Sequence, residues 1–75
     1  MKDKVLAILT EIRPEVDFET ETAMIDDGIL ESFDVISIVT TLMDEFDILI
    51  DADDIEPENF NSLDAIVELV ASRME

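Results

Sequence analysis

A chain of 75 residues with one glycine, two prolines, no cysteine and no histidine reads as one small domain, without disulfides or thiolate or imidazole metal sites to staple it. Its 21 acidic residues outweigh four basic ones, for a formal net charge of −17; the cations are Lys2, Lys4, Arg13 and Arg73, and none falls between Pro14 and Ser72. Such a surface repels nucleic-acid backbones and attracts basic protein surfaces, an attraction that weakens as salt is added.

Residues 2–13 carry Val5, Leu6, Ile8, Leu9 and Ile12 at helical spacing, which predicts a first amphipathic helix. Pro14 stops it, because the residue before a proline avoids the helical region. Lysines ahead of "VLAIL" give a faint likeness to a leader peptide. Glu11 breaks that run early and no small-residue cleavage site follows, so the expected location is the cytoplasm. No stretch approaches the length needed to cross a bilayer.

Residues 14–31 show no helical period, and a connection of that length is uncommon in compact domains unless it has a function. Its Val16, Phe18, Met24, Ile25, Ile29 and Leu30 predict that it is pinned onto the bundle. Gly28, after "IDD", marks a tight turn whose backbone conformation other residues resist.

Residues 32–46 form the second predicted helix. Ser32 is its expected N-cap, Asp34 lies in the first turn where it favours the helix dipole, and the apolar stripe runs Phe33, Ile36, Val39, Leu42, Met43, Phe46. On this register Phe33 anchors the helix start in the core, Ile38 widens the stripe, and Val35 lies at its edge or outside it.

"DILIDADDIEPENF" reads as a loop with a short helical turn at residues 53–55 or after Pro57; "ILI" could be a strand but has nothing to pair with. The closing segment "NSLDAIVELVASRM" is a helix capped by Asn61 or Ser62, with Leu63, Ile66, Val67 and Val70 inward. The expected architecture is all-α: three main helices and one short one, with a long loop between the first and second, in a single domain over residues 1–75.

Chemistry is sparse. "DADDIE" opens like a calcium loop, yet counting from Asp51 puts Ile55, Glu56 and Ser62 where the EF-hand pattern needs a ligand, a glycine and a glutamate, so no metal site is expected. Without histidine, cysteine or a mid-chain lysine no nucleophile–base pair can be assembled, and a bundle of this size leaves little room for a substrate pocket. The chain is therefore not expected to be an enzyme.

Ser32 is the remaining reactive group of interest. A helix start suits a phosphate ester, because free N–H groups and the dipole favour negative charge there. Glu31 and Asp34 flank the serine and suit a modifying enzyme that brings Mg²⁺ or basic side chains with it.

With these segments in place, the chain resembles the acyl carrier proteins over essentially its whole length. The likeness rests on the first helix, the long loop with Gly28, the run "ESFD", the stripe "VISIVTTLMDEFDI", and the closing helix introduced by "NFNSLDAI". The resemblance implies an acyl-carrier-like four-helix bundle in which Ser32 carries 4′-phosphopantetheine, attached as a phosphodiester from coenzyme A. Acyl or aminoacyl groups would then ride on its terminal thiol as thioesters, which accounts for a carrier with no cysteine of its own. It further implies a monomer that meets a phosphopantetheinyl transferase, an acyl- or amino-acid-activating ligase and downstream enzymes with basic docking surfaces. Glu31 and Asp34 are the expected transferase contacts, with Val35, Thr40, Asp44 and the acidic loop as further docking positions. The family's usual Asp-Ser-Leu or Asp-Ser-Met is here Glu31-Ser32-Phe33, and Ser37 and Met43 stand where acids are common. Gly28 four residues before the serine, and Phe60 ahead of the last helix, are more similar to D-alanyl and related amino-acid carriers, although Asp34 stands where that subgroup often has glycine. The alternative functions are an unmodified acidic interaction module, in which Ser32 is only a cap, or a degenerate carrier.

Overall fold

A computed structural model describes residues 1–74. Four α-helices follow in order: α1 (Lys2–Ile12), α2 (Ser32–Phe46), α3 (Pro57–Phe60) and α4 (Leu63–Arg73), with a single 3₁₀ turn at Ala52–Asp54. Among the described residues there is no strand, and "ILI" runs as an extended connector. The short helical turn expected at residues 53–55 or after Pro57 is present as two: the 3₁₀ turn lies one residue earlier, at Ala52–Asp54, and α3 begins at Pro57 itself. Pro57 opens α3 at the helix position that a proline tolerates best.

α1 packs on both α2 and α4, and α3 lies on α4. The part of the core supplied by the three long helices is aliphatic: Val5, Ile8 and Leu9 of α1, Val35, Ile38, Val39 and Leu42 of α2, and Leu63, Ile66, Leu69 and Val70 of α4. Leu69 belongs to that inward set although the sequence reading omits it, while Val67 is only partly buried. The long connection is pinned as expected, with Phe18, Met24 and Leu30 buried. Among the described residues no helix is long and apolar enough to cross a membrane.

The stripe of α2 is rotated from the expected one. Val35 is 7% exposed and Ile38 fully buried, whereas Phe33 is 79% and Ile36 58% exposed. At about 100° per residue, Phe33 lies about 160° around the helix from Val35, so the two cannot both face the core. The helix carries apolar residues on two registers, and the one that closes the bundle is Val35, Ile38, Val39, Leu42, with Phe46 at its end. Phe33 does not anchor the helix start; Leu30, buried just before it, does.

Among the described residues, two adopt left-handed backbone. Gly28 has φ +75° in the expected turn, and nothing would meet a side chain there, so the demand for glycine is a demand of the backbone alone. Asp47, at φ 54°, caps the end of α2 with its N–H donating to the Met43 carbonyl, in the manner usually left to glycine or asparagine.

Candidate functional site

The start of α2 is built by its neighbours. Its N-cap is Glu31, with extended backbone, and Ser32 is the first helical residue; the expectation of Ser32 as cap is corrected here. The reason is Asp34, whose Oδ2 accepts the Glu31 N–H at 3.1 Å and so closes the helix start from the third position. The hydroxyl of Ser32 is not consumed by the cap, and the residue is exposed.

Asp34 is itself held. Arg13, at the C-terminal cap of α1, places Nη1 2.5 Å from Asp34 Oδ2 and 3.3 Å from the Ile29 carbonyl, while its Nε lies 2.5 Å from Glu15. The bond to Glu15, reinforced by Asp34 against a partial desolvation, raises the Arg13 pKa above its ordinary value. Glu15 is shifted the other way: its own backbone N–H, then Arg13, hold its carboxyl below the usual range.

Beside Ser32 lies an open cleft of about 790 Å³, a size that the sequence reading did not anticipate for so small a bundle. It is lined by the connection carrying Gly28 and Leu30, by the start of α2 and by the segment Ile55–Glu56–Pro57. Ser32, Phe33 and Ile36 form the helix side, and Phe60 lines the cleft from α3. Asn61 fixes the connection: its Oδ1 accepts the N–H groups of Ile25 (2.9 Å) and Asp26 (3.1 Å), and its Nδ2 donates to Asp26 Oδ2 at 3.2 Å. The cap of α4 falls instead to Ser62, whose Oγ accepts the Ala65 N–H at 3.1 Å. On the other side, Asn59 Nδ2 donates to the Asp54 carbonyl at 2.7 Å and Arg73 pairs with the Asp54 carboxylate.

The cations are all engaged among the described residues: Lys2 with Asp64 (3.1 Å), Lys4 with Glu45 (3.8 Å), Arg13 with Glu15 and Asp34, Arg73 with Asp54. Glu31 and Glu56 on the cleft, and Asp44 further along α2, belong to none of these pairs. Among the described residues no cluster of acids is arranged to hold a metal ion.

Of the residues singled out from sequence, Ser32 and Glu31 meet at the cleft rim, and Asp44 and Thr40 are exposed further along α2. Asp34 is engaged as cap and ion-pair partner, with its side chain only 17% exposed. Val35 turns inward, 7% exposed, and meets the surface only where it lines the cleft, so it is not the outward docking residue expected of it. The apolar groups of α2 that do stand out are Phe33 and Ile36, missed because the wrong register was chosen for the helix. Arg13 was missed as well, though a lone cation closing the first helix of so acidic a chain was a usable signal. Compared with known proteins, the chain matches no family model, no curated protein and no solved structure.

Proposed function

We propose that the chain is a cytoplasmic, monomeric acyl carrier protein, bearing 4′-phosphopantetheine on Ser32 and presenting an acyl or aminoacyl thioester to partner enzymes. The observation that carries this is the exposed Ser32 hydroxyl, free of cap duty, as the first residue of a 15-residue helix and on the rim of an apolar-lined cleft. The residues fit the group. The first N–H groups of an α-helix lack intrahelical partners and favour a phosphate, and the cleft offers apolar surface to an attached arm. In the attachment step Ser32 Oγ bonds to the pantetheine-side phosphorus of coenzyme A and the pyrophosphate bridge breaks. An adenosine bisphosphate leaves, and the seryl proton passes to a base on the transferase. When bound, the group supplies the thiol that carries the cargo.

Recognition falls to the surroundings of the serine. Phe33 and Ile36 give a partner apolar contact, and Glu31, Asp44 and Glu56 set that contact in negative potential. Such an arrangement suits a transferase, a ligase or a downstream enzyme with a basic rim around an apolar pocket. The glycine spacing and Phe60 favour amino-acid cargo over fatty acyl cargo.

An unmodified acidic module that docks basic surfaces is the competing function. It draws on Asp34, whose carboxylate is already committed to Arg13 and to the Glu31 N–H. Intact mass decides between them, after incubation with coenzyme A, Mg²⁺ and a broad-specificity phosphopantetheinyl transferase. The carrier gains one phosphopantetheine and its Ser32→Ala variant gains none. A chain that gains nothing, even as Glu31→Asp, is the acidic module.

A further inference from the structure

We infer that Arg13 is a positioning residue for Ser32: one guanidinium, reaching across from the end of α1, fixes the first turn of α2 and with it the direction of the seryl hydroxyl. The inference rests on Ser32 being the modified group. Arg13 does not touch Ser32, and what it touches surrounds Ser32 in the chain. Its Nη1 donates to the Ile29 carbonyl at 3.3 Å, before the serine, and to Asp34 Oδ2 at 2.5 Å, after it. The same Oδ2 accepts the Glu31 N–H, so the residue immediately before the serine is tied to the same point. Glu15 holds the guanidinium from the other side through Nε, which fixes the plane of the fork.

Besides the helix's own first hydrogen bond, from the Val35 N–H to the Glu31 carbonyl at 3.0 Å, and the reciprocal capping of Glu31 and Asp34, side-chain packing at this turn is weak. Glu31, Ser32 and Phe33 are all exposed, so little packing holds the backbone there until Val35 enters the core. Leu30 is buried beneath, which leaves residues 31–34 as a short span between two anchors. A serine that must present its oxygen in line with a phosphorus loses rate steeply when its position is uncertain, because misplacement by about 1 Å can cost about a hundredfold. Lysine cannot replace the fork, since it is a point charge with no fixed plane and cannot hold Asp34, Glu15 and a carbonyl together.

The test is the steady-state kinetics of phosphopantetheine transfer to the full chain, followed by intact mass. Arg13→Gln, Arg13→Lys and Lys2→Gln are compared with the parent. Lys2→Gln makes the same change in net charge and breaks an exposed ion pair, Lys2–Asp64, on a different part of the surface. The expected result is a kcat about tenfold lower for Arg13→Gln with KM changed by less than about twofold, and a partial return in Arg13→Lys. Lys2→Gln behaves as the parent. Amide exchange gives a second readout, with residues 31–35 of Arg13→Gln exchanging faster while α4 is unchanged. Transfer to Arg13→Gln at the parental kcat, a loss confined to KM, or an equal loss in Lys2→Gln overturns the inference and leaves the carrier function standing. No transfer to the parent chain, even as Glu31→Asp, overturns the carrier function, and the inference with it.

Discussion

Replacing Ser32 by alanine separates two accounts of the start of α2. Were Ser32 the N-cap, its loss would cost typically about 1 kcal/mol. For a domain of this size that is a fall in Tm of about 4–8 °C. The structure instead makes Ser32 the first helical residue and gives the closing bond to Asp34, through the 3.1 Å contact with the Glu31 N–H. Alanine is the better helix former, by roughly half a kcal/mol at most, so Ser32→Ala should be neutral or slightly stabilising. Asp34→Ala should carry the cost of about 1 kcal/mol, from the lost cap bond alone. Loss of the ion pair with Arg13, whose two side chains are mostly covered, adds to that cost. Urea melts followed by circular dichroism at one fixed ionic strength resolve a difference of this size, provided the slope with denaturant is unchanged. A loss of about 1 kcal/mol in Ser32→Ala, with Asp34→Ala near neutral, would refute the assignment and return the serine to plain structural duty.

Gly28→Ala forces a left-handed φ of +75° on a residue with a side chain, and nothing nearby clashes with it. The expected cost is the backbone term of about 1–2 kcal/mol, less about half a kcal/mol or more gained by stiffening the unfolded chain, read as a lower Tm. Phe33→Ser, at a position 79% exposed, should leave the urea midpoint unchanged while raising the KM of the transferase for the chain. Glu15 has its carboxyl pKa lowered on folding, so its contribution to stability is present above the ordinary glutamate range and is lost as pH falls through the folded value. Glu15→Gln should therefore weaken the protein near neutral pH and converge with the parent in acid, in paired thermal melts across pH. At a net charge of −17, Tm should rise with NaCl and rise further with Mg²⁺ at equal ionic strength; a flat response would remove self-repulsion as a term in stability.

The three main helices and the pinned connection were legible because each has a single dominant signal. α1 and α4 carry one apolar stripe each, Pro14 and Ser62 bound them, and Gly28 is the one residue suited to its turn. α2 was legible as a helix but not in its facing. Phe33 and Ile36 compete with Val35 and Ile38 for the core, and hydrophobicity alone does not rank them. The choice depends on where Leu30 and Arg13 bring the chain into the helix, which is tertiary information. The cap was misread for a related reason: serine is the better local candidate, but Asp34 reaches back and closes the turn one residue earlier. Asp47 gave no warning of its left-handed backbone, since aspartate adopts it only when a helix end demands it. Ser32 stood out by its place between flanking acids, whereas the cleft beside it is lined by segments far apart in the chain, which no local pattern records.

The outward side of α2 shares no residue with its inward side. Phe33, Ile36, Thr40 and Asp44 can all be exchanged without touching Val35, Ile38, Val39 or Leu42. Divergence along that strip is therefore uncoupled from the folding constraint: single substitutions there should each be nearly neutral for stability. A combinatorial library over those four positions samples the same freedom deliberately, and nearly every member should still fold.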